Sequence, residues 1–240
     1  MDVKLQSHDQ IPEPMDYRYT SDKIEIDSGD EDIEDVDRCI KLLSNAYTKL
    51  QSGYDISRQE VARAKKEGRY DEVAGLGYGE VDVEAFGSFI KGLPSTHANG
   101  VFLDLGSGSG KAVLAAAFEG CFSSCIGVEI VGPLHTLATQ ALERAREIDA
   151  DKASRVSFVQ GDMFAKEELW RLADVVLITC TLFTDDMMAR LDRAVDELIR
   201  PGTIVITTTR RLNSMRARQI SEGRVKYAKG SLLFIVYVVR

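Results

Sequence analysis

The stretch Val101-Phe-Leu-Asp-Leu-Gly-Ser-Gly-Ser-Gly-Lys111 decides the fold of this chain. A short apolar run that contains Asp104 ends at three glycines spaced two residues apart, and a helical pattern follows at once. This order predicts a strand, a tight loop and a helix. Glycines in such a loop can adopt positive φ and leave no side chain between the backbone and a ligand. We therefore expect a ligand at the carboxyl end of this strand, where open α/β sheets bind them.

The glycine spacing argues against two common nucleotide-binding loops. Gly110 comes one residue too early for the dinucleotide pattern G-x-G-x-x-G. Ala112 follows Lys111, so the magnesium-binding hydroxyl of a P-loop is missing. The form D-x-G-x-G-x-G instead resembles that of Rossmann-like S-adenosylmethionine-dependent methyltransferases. Its residues here are Asp104, Gly106, Gly108 and Gly110. The alternative is that the glycines serve only the packing of helix against strand.

Two more acids end predicted strands. Glu129 lies about 20 residues beyond the glycine loop, where an acid can accept hydrogen bonds from both hydroxyls of a ribose. Asp162 follows another apolar run and can accept from the amino group of an adenine, with Met163 or Phe164 over the ring. The alternatives are a solvated strand-end acid for Glu129 and a helix cap for Asp162. Together with the glycine loop, the two acids predict one nucleoside site at a single edge of the sheet.

Strands and helices alternate from residue 100 onward, which predicts an α/β fold with helices on both faces of a parallel sheet. The predicted strands are 101–105, 124–129, 155–159, 174–180 and 203–208, and the helices are 110–119, 133–149, 166–172 and 184–199. Strands at 224–227 and 232–239, separated by a glycine turn, predict a closing hairpin. The result is a Rossmann-like seven-stranded methyltransferase sheet, mostly parallel, with an antiparallel last strand.

The chain divides into three predicted parts. Residues 1–35 form an acidic leader that we expect to be disordered, 36–95 hold N-terminal helices and a cofactor-covering loop, and 96–240 form the methyltransferase core. The predicted N-terminal helices cover 36–50, a stretch capped by Asp55 or Ser57 and ending near Lys66, and 82–90. Residues 1–37 contain 13 acids and 3 bases, whereas the whole chain has a net charge of −8. The leader is either solubilising or a contact for a basic partner such as a histone.

Four cysteines form neither a CxxC pair nor a zinc pattern, and we expect them to be reduced thiols in an intracellular protein. No metal site is predicted. The chain opens without a signal-peptide pattern, and no apolar run approaches the 18 residues of a membrane span. The expected location is the nucleus if the substrate is a histone, and otherwise the cytoplasm.

Several segments resemble one family, the non-SET histone lysine methyltransferases of the disruptor-of-telomeric-silencing type. The matching segments are Gly77-Tyr-Gly-Glu-Val81, the glycine loop, Gly127-Val-Glu129, Gly161-Asp162 and the closing hairpin from Val225. The resemblance covers about residues 70–240. It implies S-adenosylmethionine as the cofactor, a Tyr-Gly-Glu loop over its methionine end, and a protein lysine as acceptor, with a histone or nucleosome as partner.

The resemblance also marks two departures. An Asn-Asn-Phe-Ala-Phe-like run that lines the family's channel reads Thr179-Cys-Thr-Leu-Phe183 here, so both amides are missing. A channel tyrosine of the last strand corresponds to Phe234. The implied channel residues are Tyr78, Phe183 and Phe234. The implied cofactor-binding residues are Tyr78, Glu80, Asp104, Gly106, Gly108, Gly110, Glu129, Ile130, Asp162, Met163 and Thr179.

Methyl transfer needs alignment more than a catalytic base, because the sulfonium already activates the methyl group. An apolar channel would help a lysine acceptor to arrive neutral. A basic cluster at Arg210, Arg211, Arg216 and Arg218 can face an acidic surface such as nucleosomal DNA or form a solvated helix face. Three functions remain open: a protein-lysine methyltransferase, a methyltransferase for a non-histone protein or small molecule, and a catalytically silent cofactor-binding module.

Overall fold

The computed structural model describes residues 42–69, 77–93, 97–227 and 230–240. The acidic leader, the start of the helix predicted at 36–50 and part of the linker before the cover loop lie outside these residues. Within the described part, residues 42–46 are helical and seven further α-helices and seven strands follow.

Seven strands form one sheet in the order β3-β2-β1-β4-β5-β7-β6. Strands β1 to β5 are parallel, β7 is antiparallel to β5, and β6 is antiparallel to β7. The strands are β1 Val101–Leu105, β2 Ser124–Glu129, β3 Val156–Gln160, β4 Val175–Ile178, β5 Ile204–Thr208, β6 Ala217–Tyr227 and β7 Gly230–Val239. The prediction of a mostly parallel, seven-stranded sheet with an antiparallel last strand is confirmed.

The helices cover both faces of the sheet. They are α1 Gly53–Lys66, α2 Val83–Lys91, α3 Lys111–Glu119, α4 Gly132–Ile148, α5 Ala150–Ser154, α6 Glu167–Leu172 and α7 Asp185–Leu198. One core layer joins α2, α3 and α4 to the sheet and includes Phe86, Val113 and Ala141. The opposite layer joins α6 and α7 through Trp170 and Leu191. With both faces buried, β4 is apolar throughout and all five residues of β5 are buried, including Thr207 and Thr208 at its end.

Three local features differ from the sequence-based predictions. Helix α1 begins at Gly53 with Ser52 as N-cap, so neither Asp55 nor Ser57 caps it. Strand β6 begins at Ala217 rather than near residue 224, because its first half is a polar edge strand with a bulge between Gln219 and Ser221, a pattern without apolar alternation. The short helix α5 and a 3₁₀ turn at Met163–Ala165 were not predicted.

The helices of the described residues are all too short or too polar to cross a membrane. In the same part of the chain, no group of three or more His, Cys, Asp or Glu side chains is arranged to hold a metal ion.

Candidate active site

The glycine loop joins β1 to α3 in the predicted backbone conformation. Gly106, Gly108 and Gly110 have φ values of +89°, +54° and +81°, a region that favours glycine. The amides of Gly106 and Ser107 each donate to the Val128 carbonyl at 2.9 Å, which holds the loop against the end of β2. The loop therefore lies at the carboxyl edge of the sheet, beside the strand that ends in Glu129.

Beside this loop is a cavity of about 510 Å³. Ten of the predicted cofactor-binding residues line it: Tyr78, Glu80, Asp104, Gly106, Gly108, Glu129, Ile130, Asp162, Met163 and Thr179. The three acids predicted to share one hollow therefore do so. Gly110 does not line the cavity. A Cβ there would lie 2.4 Å from the Phe158 ring and 3.1 Å from Ala138, so the absent side chain serves packing between α3, α4 and β3.

Glu129 is buried and held by backbone amides. Its Oε2 accepts from the Gly108 amide and its Oε1 from the Val131 amide, both at 2.7 Å. Burial raises the pKa of this carboxyl, while the two amides act in the opposite direction. A carboxylate offers about four acceptor positions, so both oxygens retain capacity for ribose hydroxyls.

Asp104 is a strongly perturbed acid in the cavity. Its side chain is buried, and Oδ1 has no hydrogen-bond partner among the described residues. Burial, and to a lesser degree the charge of Glu129, raises the pKa of Asp104 to about 8. A buried acceptor without a partner is costly. The position therefore suits a cationic or hydrogen-donating ligand group.

The third acid lies at a more exposed end of the cavity. Asp162 accepts from the Phe164 amide at 3.0 Å, so it caps the 3₁₀ turn that begins at Met163. It does not cap the helix predicted at 166–172, because the N-cap of α6 is Lys166, and its carboxylate also lines the cavity. Arg190 of α7 stacks over the Phe164 ring at 4.1 Å and lies 3.9 Å from Asp162 Oδ2. No local pattern connects this arginine with Asp162, because the helix that supplies it begins 23 residues later in the chain.

Residues 77–81, which we call the cover segment, close one side of the cavity. The Tyr78 hydroxyl donates to Glu80 Oε1 at 2.6 Å, and Lys111 Nζ donates to Glu80 Oε2 at 2.6 Å. Burial and the Glu80 charge raise the pKa of Tyr78, so its hydroxyl stays protonated. A bridge between Val81 and Tyr227 attaches the segment to the end of β6. Lys111 and Tyr227 were not among the predicted site residues.

The predicted channel aromatics separate into two groups. Tyr78 and Phe183 line the cavity, but Phe234 does not. Its ring is fully buried and packs against Phe86, Phe89 and Tyr227, with centroids 6.1, 5.2 and 6.3 Å away. The assignment of Phe234 to a channel wall is therefore corrected to core packing.

Tyr227 lines the cavity instead of Phe234. It is the last residue of β6 and comes three residues before β7 begins. Its hydroxyl lies 3.4 Å from Thr179 Oγ1. Burial raises the pKa of Tyr227, so the hydroxyl is neutral at ordinary pH. The hairpin thus supplies an aromatic hydroxyl to the cavity. The family resemblance places the channel tyrosine at the position of Phe234, where this chain has no hydroxyl.

The basic cluster after β5 is largely paired within the protein. Arg210 lies 2.5 Å from Asp185, and Arg211 lies 2.7 Å from Glu222. Arg216 donates to the backbone carbonyls of Asp196 and Ile199 at 2.7 and 3.1 Å. Strand β6 starts at residue 217, so the cluster is not a helix face. Contact with nucleic acid stays a prediction.

The fold and cavity together define the class. Rossmann-like S-adenosylmethionine-dependent methyltransferases combine three features that this protein has: a seven-stranded sheet of this order, a glycine loop, and a buried strand-end acid at the same cavity. The residues fit that cofactor, since Asp104 holds an unpartnered buried oxygen and Gly106 leaves open space where a side chain would otherwise stand. The chain belongs to the family described as "Histone methylation protein DOT1", whose family model matches residues 57–229.

Solved structures with this fold are distant in sequence. The putative methyltransferase yhhF from Escherichia coli is 11% identical, with a TM-score of 0.51 over 65% of this chain and 86% of that one. The mitomycin 7-O-methyltransferase MmcR is 14% identical, with a TM-score of 0.50 over 87% and 67%. The tRNA methyltransferase TrmK of B. subtilis is 18% identical, with a TM-score of 0.47, and this chain covers 66% of its length.

No curated protein sequence matches the chain. The family and the fold establish S-adenosylmethionine as the methyl donor. The roles of individual residues toward it stay predictions, as does the acceptor.

Proposed function

We propose that the protein transfers a methyl group from S-adenosylmethionine to the amine of a protein lysine, with a histone as the substrate. The observation that carries this proposal is the set of aromatic side chains in the cavity lining, Tyr78, Phe183 and Tyr227, the last of which lies beside Thr179. The match to a family described by histone methylation supports the same acceptor.

The cavity residues account for the steps that a protein must supply. When bound, the cofactor provides a methyl group on positively charged sulfur. Glu129 would hold the ribose and Asp104 the ammonium of the amino-acid end, which together fix the direction of attack. Aromatic walls disfavour a hydrated ammonium, so the lysine amine loses its proton to solvent before it attacks. The new N–C bond then forms as the C–S bond breaks.

The Thr179 and Tyr227 hydroxyls give the amine a polar contact in place of the missing amides. The two oxygens lie 3.4 Å apart at the cavity wall, and either can accept a hydrogen bond from an approaching amine. Because Tyr227 stays protonated, it accepts without adding a charge that would favour the ammonium.

The test is transfer of a labelled methyl group. We expect label from the cofactor on lysine in core histones or nucleosomes, located by mass spectrometry of the digested product. Glu129→Ala is the matched control, since loss of a charge-assisted hydrogen bond should weaken binding of S-adenosylhomocysteine by about 1–3 kcal/mol and reduce transfer.

Either of two other results would overturn the proposal. Label on a non-histone protein or a small molecule of a lysate, with unlabelled histones, would move the acceptor elsewhere. Tight binding of S-adenosylhomocysteine without transfer to any acceptor would make the protein a silent cofactor-binding module.

A further inference from the structure

A partly buried ion pair joins the cover segment to the helix that follows the glycine loop. Lys111 Nζ lies 2.6 Å from Glu80 Oε2, and their side chains are 22% and 12% exposed. Ion pairs with this degree of burial are screened by salt much less than surface pairs. Loss of one partner would leave the other charge poorly solvated in the cavity wall.

The Glu80 carboxylate connects three parts of the protein. The carboxylate oxygen that does not contact Lys111, Oε1, accepts from the Tyr78 hydroxyl at 2.6 Å and from Ser109 Oγ at 3.4 Å. The cover segment, the glycine loop and the first residue of α3 therefore meet at one carboxylate. Gly53 of α1 leaves room for this arrangement, because a Cβ there would lie 2.2 Å from the Tyr78 hydroxyl.

Lys111 occupies a position where a cation needs compensation. It is the first residue of α3, where the helix dipole disfavours positive charge. Glu80 supplies the compensating anion. The Tyr47 ring lies 5.0 Å from Nζ, and the Tyr47 hydroxyl donates to the Ser109 carbonyl at 3.0 Å. The lysine is thus oriented by contacts from both sides rather than extended into solvent.

The cover segment also makes close packing contacts through Tyr78 and Gly77. A Cβ on Gly108 would lie 2.7 Å from Tyr78 Cε2, so the tyrosine ring packs directly on the glycine loop. Gly77 at the other end of the segment lies against the Leu182 side chain of the loop after β4. With these contacts made, the segment spans one side of the cavity from the glycine loop to the loop after β4.

We propose that Lys111 is a positioning residue that fastens the cover segment through Glu80 and thereby sets the rate at which cofactor and product exchange. In this proposal the ammonium acts on the ligand through Glu80 and Tyr78. The inference rests on the cofactor class of the family and not on the identity of the methyl acceptor.

The test measures the dissociation rate of S-adenosylhomocysteine from the full chain by surface plasmon resonance. Lys111→Met should raise the rate about tenfold, the effect of losing one charge-assisted hydrogen bond. Lys111→Arg, which keeps the charge, should stay near the original rate. Lys91→Met is the matched control, because Lys91 pairs with Glu119 away from the cavity lining.

A second ligand separates fastening from direct contact. The probe 5′-methylthioadenosine lacks the amino-acid end, and fastening predicts that Lys111→Met accelerates its release by a similar factor. Acceleration confined to S-adenosylhomocysteine would mean that Lys111 binds the amino-acid end itself and would overturn the proposal. So would an unchanged rate for both ligands.

A double-mutant cycle identifies the partner of Lys111. If the lysine acts through Glu80, adding Lys111→Met to Glu80→Gln should give little further acceleration. Independent, multiplying effects of the two substitutions would refute fastening through this carboxylate. The melting temperature of each variant distinguishes faster release from general loss of the fold.

Discussion

Asp104 shows how one residue can be costly to the free protein and useful once a ligand is bound. Its unpartnered oxygen and the nearby Glu129 make the ionised form unfavourable. A cation in the cavity would reverse that preference. A buried carboxyl of this kind suits a cationic ligand group, and binding rather than folding would then recover its cost.

Asp104 should make cofactor binding depend on pH. A proton must leave this carboxyl when a cationic ligand group binds, so the affinity for S-adenosylhomocysteine should rise as pH increases toward about 8. One proton gives a limiting slope of about tenfold per pH unit. Calorimetric titrations at several pH values measure this slope, and 5′-methylthioadenosine, which has no ammonium, should show little of it.

The stability of the free protein should have the opposite pH dependence. The folded-state pKa lies above the ordinary value of 3.8, so the folded protein retains a proton that the unfolded chain releases. The free energy of unfolding therefore falls as pH rises from about 4 to about 8. Asp104→Asn should make this slope shallower, leaving the part that the raised pKa of Glu129 contributes, and stabilise the free protein at pH 8 by at least about 1 kcal/mol. A slope that is unchanged in this variant would contradict the assignment.

At the scale of single residues, the sequence predicts which side chains reach the cavity far better than it predicts their hydrogen bonds and ion pairs. Asp104 and Glu129 follow from strand ends, because parallel strands end at one edge of a sheet. The absence of a hydroxyl at position 112 excludes only a P-loop role for Lys111, and the sequence predicts no other role for it, because its partner Glu80 lies 31 residues earlier. A long-range ion pair of this kind leaves no local pattern in the sequence.

At the scale of elements, the hairpin explains why the sequence predicts a channel role for Phe234 and none for Tyr227. Its register pairs Tyr227 with Gly230 and Gly223 with Phe234. Both rings are buried, and only their three-dimensional neighbours decide which one reaches the cavity. In contrast, β1 and β2 have the predicted limits because acids and glycines interrupt their apolar runs sharply.

Helix α2 connects the cover segment to the core, and its first turn depends on Asp82. The Asp82 side chain accepts from the Ala85 amide at 3.0 Å and lies 3.0 Å from Lys226 Nζ of β6. Both contacts are made just after the cover segment. This aspartate therefore anchors the segment at the end opposite Gly77.

Asp82→Ala should lower the free energy of unfolding by about 1 kcal/mol, mainly through the lost helix cap. Urea denaturation measures this loss of stability. The m value, which is the slope of the unfolding free energy against urea concentration, should be the same in the variant and the original protein. Glu84→Ala is the control, since Glu84 lies in the same exposed first turn without capping the helix. Equal losses in the two variants would show that the charge near the helix N-terminus, and not the cap, is responsible.

For the whole molecule, the uneven charge is the property that bears on substrate capture. Residues 1–37 carry a charge of −10, from 13 acids and 3 bases, and the rest of the chain carries +2, which together give the net −8. The leader lies outside the described residues, so its role is argued from charge alone. A strongly acidic segment attracts basic proteins over a distance set by the ionic strength.

We expect the leader to help a basic substrate to reach the enzyme without affecting the cofactor. Replacing Asp30, Glu31, Asp32, Glu34 and Asp35 with the corresponding amides in the full chain should leave the affinity for S-adenosylhomocysteine unchanged. At low salt the same variant should raise the KM for histone about fivefold, because electrostatic steering is weakened. At high salt the original and the variant should converge, since screening removes the attraction in both. Equal KM values at low salt would leave the leader with a solubilising role only, and a changed cofactor affinity would place it against the catalytic body.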